Sequence, residues 1–210
     1  QIDDKGFMTQ FRQADVLVFF LICFLLQVSH GAYYTYFSIF LESLAYSKST
    51  IGWLWSLGVL AEVLLFLVMH HWFKVHGVRT IMVIALLFTC LRWYFTAKFA
   101  DVLPVLIVLQ CLHAFSFGAM HAAAIKFVHD VFDSCNQGRA QAMYSSFGFG
   151  AGGAAGAYLC GLTVVQISYD GIFRFSAGIG VLALVLTLLL NTDYLKSNTA
   201  VSSKKNLPDK

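Results

Sequence analysis

Charged side chains are scarce in this sequence. Only 12% of its 210 residues are Asp, Glu, Lys or Arg, whereas 59% are hydrophobic, and the mean hydropathy is +0.72. A soluble domain carries about 25% charged residues, so this chain cannot hide its apolar surface in one water-soluble core. The net charge of +3 is small and scattered, and nucleic acid is therefore not an expected partner.

Sequence motifs of enzymes and cofactor sites are also missing. The chain contains no HExxH, no GxxxxGK[ST] and no recognisable nucleophile–base arrangement. Its five cysteines include no CxxC pair and are odd in number, which argues against a disulfide framework or a zinc site and favours small buried thiols. We therefore expect no enzymatic activity, no metal and no cofactor.

Six long apolar blocks fill most of the chain. About 20 apolar residues cross the hydrocarbon core as a helix, and these blocks are too long and continuous for barrel strands. Only helices or closed barrels satisfy the backbone in lipid. The sequence predicts an all-α membrane protein with a six-helix transmembrane domain over residues 15–192. The expected helices are about 16–41, 51–73, 80–99, 102–125, 140–165 and 172–191.

Polar segments flank this domain. The chain opens on Gln1 rather than Met and shows no signal peptide, so we expect residues 1–14 to be a linker from an upstream part, and 193–210 to be a flexible tail. If the N-terminus lies in the cytoplasm, ten Lys and Arg fall in the segments on the cytoplasmic side of the membrane, and three fall in the segments on the opposite side. This bias predicts a multi-pass protein of the lipid bilayer with both termini in the cytoplasm.

A faint internal repeat relates the two halves of the domain. The pattern LQxxH occurs at 26–30 and 109–113, and SxGxxA occurs at 56–61 and 146–151. Helices one and two thus match helices four and five, which predicts two inverted three-helix repeats. Chance similarity in a biased composition is the alternative.

Three ionisable residues lie near the expected midplane. The helical rise places Glu62, Arg92 and His113 about 16, 18 and 16 Å from the ends of their blocks. Such groups are costly in lipid and mark pathways for protons or substrate. We expect Glu62 to pair with Arg92, because consecutive antiparallel helices are neighbours, and to carry a proton. A static pair that pins two helices together is the alternative.

Further polar candidates surround these three. His113 can bind substrate or relay protons because imidazole titrates near neutral pH, or it can be a neutral histidine bonded between helices. His30 is a weaker candidate of the same kind, and Gln27 and Gln110 lie one turn from the two histidines.

Two small clusters complete the candidates. Tyr33 and Tyr34 offer flat faces and hydroxyls to a ligand, although interfacial anchoring explains them equally well. Gly148, Gly152 and Gly156 recur every four residues, a spacing that predicts close helix packing.

Several of these segments resemble a known family. LLQVSHGAYY at 25–34, GWLWSLGVLAEV at 52–63, LRW at 91–93 and LQxxH at 109–113 resemble the major facilitator superfamily, in its phenylpropionate-permease-like branch near lactose and nucleoside proton symporters. The likeness covers about residues 15–190. It implies the C-terminal half of a twelve-helix carrier of the bacterial inner membrane, with a six-helix N-terminal half as its partner.

The resemblance also implies an activity. It points to proton-coupled symport of a small organic solute, such as an aromatic acid, by alternating access. In lactose permease an acid, an arginine and a histidine occupy the corresponding helices, as Glu62, Arg92 and His113 do here. That carrier has a further acid one turn after its histidine, where this chain has Ser116, so Glu62 becomes the proton-site candidate. A self-contained six-helix binding or assembly protein of the membrane is the alternative.

Overall fold

The computed structural model describes residues 4–190, and every regular element in that range is helical. The elements are α1 (Asp4–Phe11), α2 (Ala14–Ser29), α3 (Gly31–Ser43), α4 (Lys48–Val75), α5 (Val78–Phe99), α6 (Leu103–Cys111), π1 (Ala114–Ala119), α7 (Met120–Val131), α8 (Gln137–Met143), π2 (Tyr144–Gly152) and α9 (Gly153–Leu189). The end of the sixth predicted helix and the predicted tail 193–210 lie outside the described residues.

Within residues 4–190 the helices join into five runs that are long and apolar enough to cross a membrane. They are Ala14–Ser43, Lys48–Val75, Val78–Phe99, Leu103–Val131 and Gln137–Leu189. The prediction of an all-helical membrane protein is confirmed, but the count of six is not, because the fifth and sixth predicted helices form one continuous run of 53 residues.

This 53-residue run is bent at Ser168, where φ 64° and ψ 175° are not helical. Its first turn lies beside the end of α7, since the Gln137 side chain donates to the Phe132 carbonyl at 3.2 Å. Its last turn lies beside the start of α5, since Arg79 Nε donates to the Thr187 carbonyl at 3.1 Å. Both ends therefore lie on the side of the molecule that carries α1, and the chain reverses between them.

Helices of each predicted repeat pack against helices of the other repeat. α4 packs against α6 and π1, whereas α2 packs against π2 and α9. The second helix of each predicted repeat thus lies against the first helix of the other, as a two-fold relation between inverted repeats requires.

Two apolar cores occupy the two ends of this bundle. One, on the side of α1, includes Phe19, Leu86 and Phe127; the other, on the opposite side, includes Phe37, Leu106 and Phe173. The polar groups of the candidate site lie between the two cores, where water is scarce and each polar atom needs a partner.

The predicted linker 1–14 contains a short helix in the described part. Phe7 of α1 stacks on Phe132 with ring centroids 5.8 Å apart, and Gln10 Nε2 donates to Asp133 Oδ2 at 2.8 Å. This segment therefore contacts the connection between α7 and α8.

Candidate functional site

Arg92 lies at the centre of the polar layer and is 1% exposed. Its Nε donates to the Leu109 carbonyl at 3.1 Å, and its Nη2 donates to Gln110 Oε1 at 3.0 Å. Its Nη1 faces His113 Nδ1 at 3.0 Å and Ser116 Oγ at 3.3 Å. All four acceptors come from one short stretch, residues 109–116, which ties α5 to the fourth span.

Two neighbouring aromatic rings contact this guanidinium. Its Cζ lies 4.2 Å from the centroid of the Tyr33 ring and 4.4 Å from that of Trp93. Cation–π attraction is strongest when the cation is desolvated, as it is here. The Tyr33 hydroxyl also donates to Gln110 Oε1 at 3.1 Å, so α3, α5 and α6 meet around one charge.

His113 connects Arg92 to Glu62. An arginine has no acceptor, so Nδ1 of His113 must accept from Arg92, and the neutral imidazole then carries its hydrogen on Nε2. That nitrogen lies 3.8 Å from Glu62 Oε2, which is longer than a hydrogen bond. The histidine thus lies between a buried cation and the side chain of Glu62, which is 17% exposed.

The expected direct pair between Glu62 and Arg92 is not found among the described residues. The donors of Arg92 are directed at acceptors on the fourth span, whereas Glu62 on α4 faces Nε2 of His113 on the same span. The expectation was wrong because it used chain order alone. In the structure α4 packs on α6 and π1, which belong to the other predicted repeat.

Two glycines give Glu62 and its neighbours room. A Cβ at Gly118 would lie 2.9 Å from Cγ of Glu62, so a larger residue there would displace the acid. A Cβ at Gly58 would lie 3.5 Å from both Gln110 Oε1 and His113 Cδ2. Gly118 belongs to π1, which begins directly after His113, and π-type turns occur often at functional sites.

His30 is fully buried beside this cluster, at the break between α2 and α3. Its Nδ1 lies 2.8 Å from the Leu26 carbonyl and must donate to it, which leaves Nε2 as a buried acceptor without a partner in the described part of the chain. Its ring lies 4.9 Å from Trp93 and 6.0 Å from Phe117.

The structure places the remaining candidates differently. Gln27 is buried on α2, and a Cβ at Gly152 would lie 3.0 Å from its Cβ. Tyr34 is 48% exposed and reaches the cluster only through rings, with its centroid 5.4 Å from Tyr33 and 6.0 Å from His30. Glu62, Arg92, His113, Gln110 and Tyr33 therefore come together, with His30 and Tyr34 at the border and Gln27 apart.

The three spaced glycines differ in their surroundings. A Cβ at Gly156 would lie 2.5 Å from the Val28 carbonyl oxygen, and one at Gly152 would lie 2.8 Å from that of Phe24. A Cβ at Gly148 meets nothing closer than 3.8 Å. Gly31, which sequence reasoning missed, faces Gly156 backbone to backbone.

Sequence reasoning also missed Trp93 and Ser116 as parts of the cluster. Trp93 is 1% exposed and its indole Nε1 donates to Ser29 Oγ at 3.4 Å. Ser116 lies one turn after His113, a position whose spacing could have indicated its contact with Arg92. In the described residues no group of three or more His, Cys, Asp or Glu is placed to hold a metal ion.

Comparison with known proteins gives the family. Residues 1–177 match the model of the MFS_1 like family, so the chain belongs to that family of the major facilitator type. The five described helical runs that are long and apolar enough to cross a membrane agree with this family.

Two curated relatives are similar to the chain. The "Probable 3-phenylpropionic acid transporter" of Escherichia coli (strain K12) is 37% identical over 136 residues, which are 62% of this chain and 34% of the relative. The "Uncharacterized transporter YwbF" of Bacillus subtilis (strain 168) is 25% identical over 188 residues, which are 89% of this chain and 46% of the relative. The chain thus spans less than half the length of either, and no solved structure matched it significantly.

Proposed function

We propose that the chain is the C-terminal half of a secondary active transporter that couples substrate movement to protons by alternating access. The observation that supports this proposal is the row of side chains Arg92, His113 and Glu62. Arg92 is buried at one end of the row, and Glu62 is partly exposed at the other. Ionisable groups are costly to bury inside a membrane domain, and their presence there indicates a pathway for protons or substrate.

The charges of the cluster suggest how coupling works. Arg92 is a fixed cation, and His113 is neutral when it accepts from Arg92. With Glu62 ionised the cluster is neutral, whereas with Glu62 protonated it carries one positive charge. An anionic substrate is attracted to the second state, because Coulomb energies are large in a dry interior. Proton binding and anion binding then strengthen each other, as thermodynamic linkage requires.

The proposed substrate is a small aromatic carboxylic acid. Support comes from the printed name of the Escherichia coli relative and from the aromatic side chains around the cluster. Tyr34 is 48% exposed, and its ring lies 6.4 Å from Trp55 and 5.4 Å from Tyr33, so an exposed aromatic face lies at the border of the cluster. Aromatic faces bind aromatic ligands by offset stacking.

The setting of the carrier is part of the proposal. We propose six crossings, because the 53-residue run begins and ends on one side and would be about 80 Å long if straight. Both termini would lie in the cytoplasm of a bacterium, in its inner membrane, and the substrate cavity would form against a six-helix N-terminal half.

The test is uptake by the complete reading frame in cells. Wild type should accumulate 3-phenylpropionate against a gradient when protons are driven inward. Glu62→Gln should abolish accumulation but keep exchange of labelled for unlabelled substrate, because it imitates the protonated acid and cannot release the proton. Glu42→Gln makes the same change at an exposed position at the end of α3 and is the matched control.

Two results would contradict the proposal. Undiminished accumulation by Glu62→Gln would remove the coupling role of that residue. A wild type that takes up none of the candidate acids, sugars or nucleosides would favour the self-contained membrane binding or assembly protein instead.

A further inference from the structure

Trp55 of α4 carries an indole ring that the proposed proton pathway does not use. Its Nε1 donates to Ser38 Oγ on α3 at 3.0 Å, which fixes the direction of the ring. The ring centroid lies 4.4 Å from that of Tyr33 and 5.7 Å from that of Phe37. Trp55 nevertheless remains partly exposed, and the neighbouring ring of Tyr34, 6.4 Å away, is 48% exposed. The protein thus holds this indole in place and leaves part of its surface accessible.

Trp55 lies on the face of α4 that carries Glu62. The two residues are seven positions apart, which is about 10 Å along the helix axis and roughly 20° around it. An acidic side chain at membrane depth faces a water-filled cavity or the protein interior rather than acyl chains. Because Glu62 is 17% exposed, we expect its face of α4 to border a hydrated cleft, and Trp55 shares that face.

Trp55 is also close to the buried cation of the candidate site. Tyr33 contacts both groups, with its ring centroid 4.4 Å from that of Trp55 and 4.2 Å from Arg92 Cζ. A flat ligand on the exposed part of Trp55 would therefore keep a carboxyl group on a short chain near Arg92, whose charge acts strongly through a dry interior. A saturated acid of the same size would be attracted equally, but it would lose the stacking on the indole.

From these contacts we infer that Trp55 binds the aromatic ring of the substrate, with Tyr34 beside it, and that this stacking makes the carrier select aromatic acids over saturated acids of the same size. This role rests on the proposed transport of an aromatic acid. Ser38 is a positioning residue, because it acts only through its bond to the indole.

The test compares the KM for uptake of 3-phenylpropionate with that of 3-cyclohexylpropionate, whose ring is similar in size but not aromatic. The complete reading frame is expressed in cells, and wild type should prefer the phenyl acid. Trp55→Leu should reduce this preference about fivefold, because KM rises mainly for the phenyl acid. Trp55→Phe keeps an aromatic ring and should stay within about twofold of the wild-type preference.

Trp53→Leu is the matched control on the same helix. Trp53 is 75% exposed and lies nine positions before Glu62, so it points to the opposite side of α4. Its replacement should leave the preference for the phenyl acid within about twofold of wild type.

Equal behaviour of the two acids would overturn the inference. If Trp55→Leu leaves the preference unchanged, or raises KM by the same factor for both acids, the indole serves packing and not selection. Wild type that takes up both acids without preference overturns the role of Trp55 alone, whereas wild type that takes up neither overturns the proposed function as well.

A second variant applies if Trp55→Leu fails to reach the membrane. Ser38→Ala removes the acceptor of the indole N–H, and the preference should fall about threefold. Ser38→Thr keeps a hydroxyl and should keep the preference. A wild-type preference in Ser38→Ala would count against the inference.

Discussion

At the scale of single residues, Gly118 determines how closely Glu62 approaches His113. A Cβ at position 118 would lie 2.9 Å from Cγ of Glu62, and that flexible side chain would move before the backbone does. Gly118→Ala should therefore lower proton-coupled accumulation by about 10- to 100-fold, because small displacements of reacting groups are costly. Stability should change little, since alanine is a better helix former than glycine.

The control for this prediction is Gly178→Ala. Position 178 lies in α9 and has nothing within 4 Å of an added Cβ. Equal losses of accumulation in both variants, measured by uptake of labelled substrate, would show that the effect of Gly118→Ala does not come from Glu62.

Part of the site followed from the sequence at this scale. The helical rise placed Glu62, Arg92 and His113 at similar depths, and the structure brings them into one cluster. Their order within it did not follow, because a one-dimensional reading cannot tell which face of a helix meets which neighbour. Trp93 was missed because an apolar ring beside Arg92 has no sequence signal that separates it from a core residue.

At the scale of helices, the close approach of α9 to α2 and α3 depends on Gly156. Its added Cβ would lie 2.5 Å from the Val28 carbonyl oxygen and 3.1 Å from the Gly31 Cα, both backbone atoms that cannot rotate away. We expect Gly156→Ala to lower the free energy of unfolding by about 1–3 kcal/mol. Thermal unfolding of the purified protein in detergent measures this.

Gly153→Ala is the matched control for Gly156→Ala. Position 153 is also in α9, and nothing lies within 4 Å of an added Cβ there. The control should be neutral or slightly stabilising, because alanine favours the helix. Unchanged unfolding of Gly156→Ala would contradict the close packing seen between these helices.

The positions of helices were easier to predict than their irregularities. The predicted block 51–73 corresponds to α4 (Lys48–Val75), and 80–99 corresponds to α5 (Val78–Phe99), since length and hydropathy determine where a span lies. The break at His30 and the π-type turns had no such signal, whereas the bend at Ser168 lies in the connection predicted between the fifth and sixth helices. At the break, the buried Nδ1 of His30 bonds to the Leu26 carbonyl.

At the scale of the whole molecule, a polar layer separates two apolar cores. The packing of α4 on α6 and π1, and of α2 on π2 and α9, brings residues far apart in sequence to that layer. Inverted three-helix repeats nested within a six-helix half are a common plan of transporters in which two such halves move around a site between them. Under the proposed function, the cluster around Arg92 would contribute this half's part of that site.

The most direct test of the proposed coupling measures proton movement itself. The complete carrier is placed in liposomes containing a pH-sensitive dye, and substrate is added outside without any pre-formed proton gradient. We predict that wild type carries protons inward with 3-phenylpropionate and acidifies the interior, whereas Glu62→Gln exchanges substrate without moving protons. Proton movement by Glu62→Gln equal to that of wild type would contradict the account.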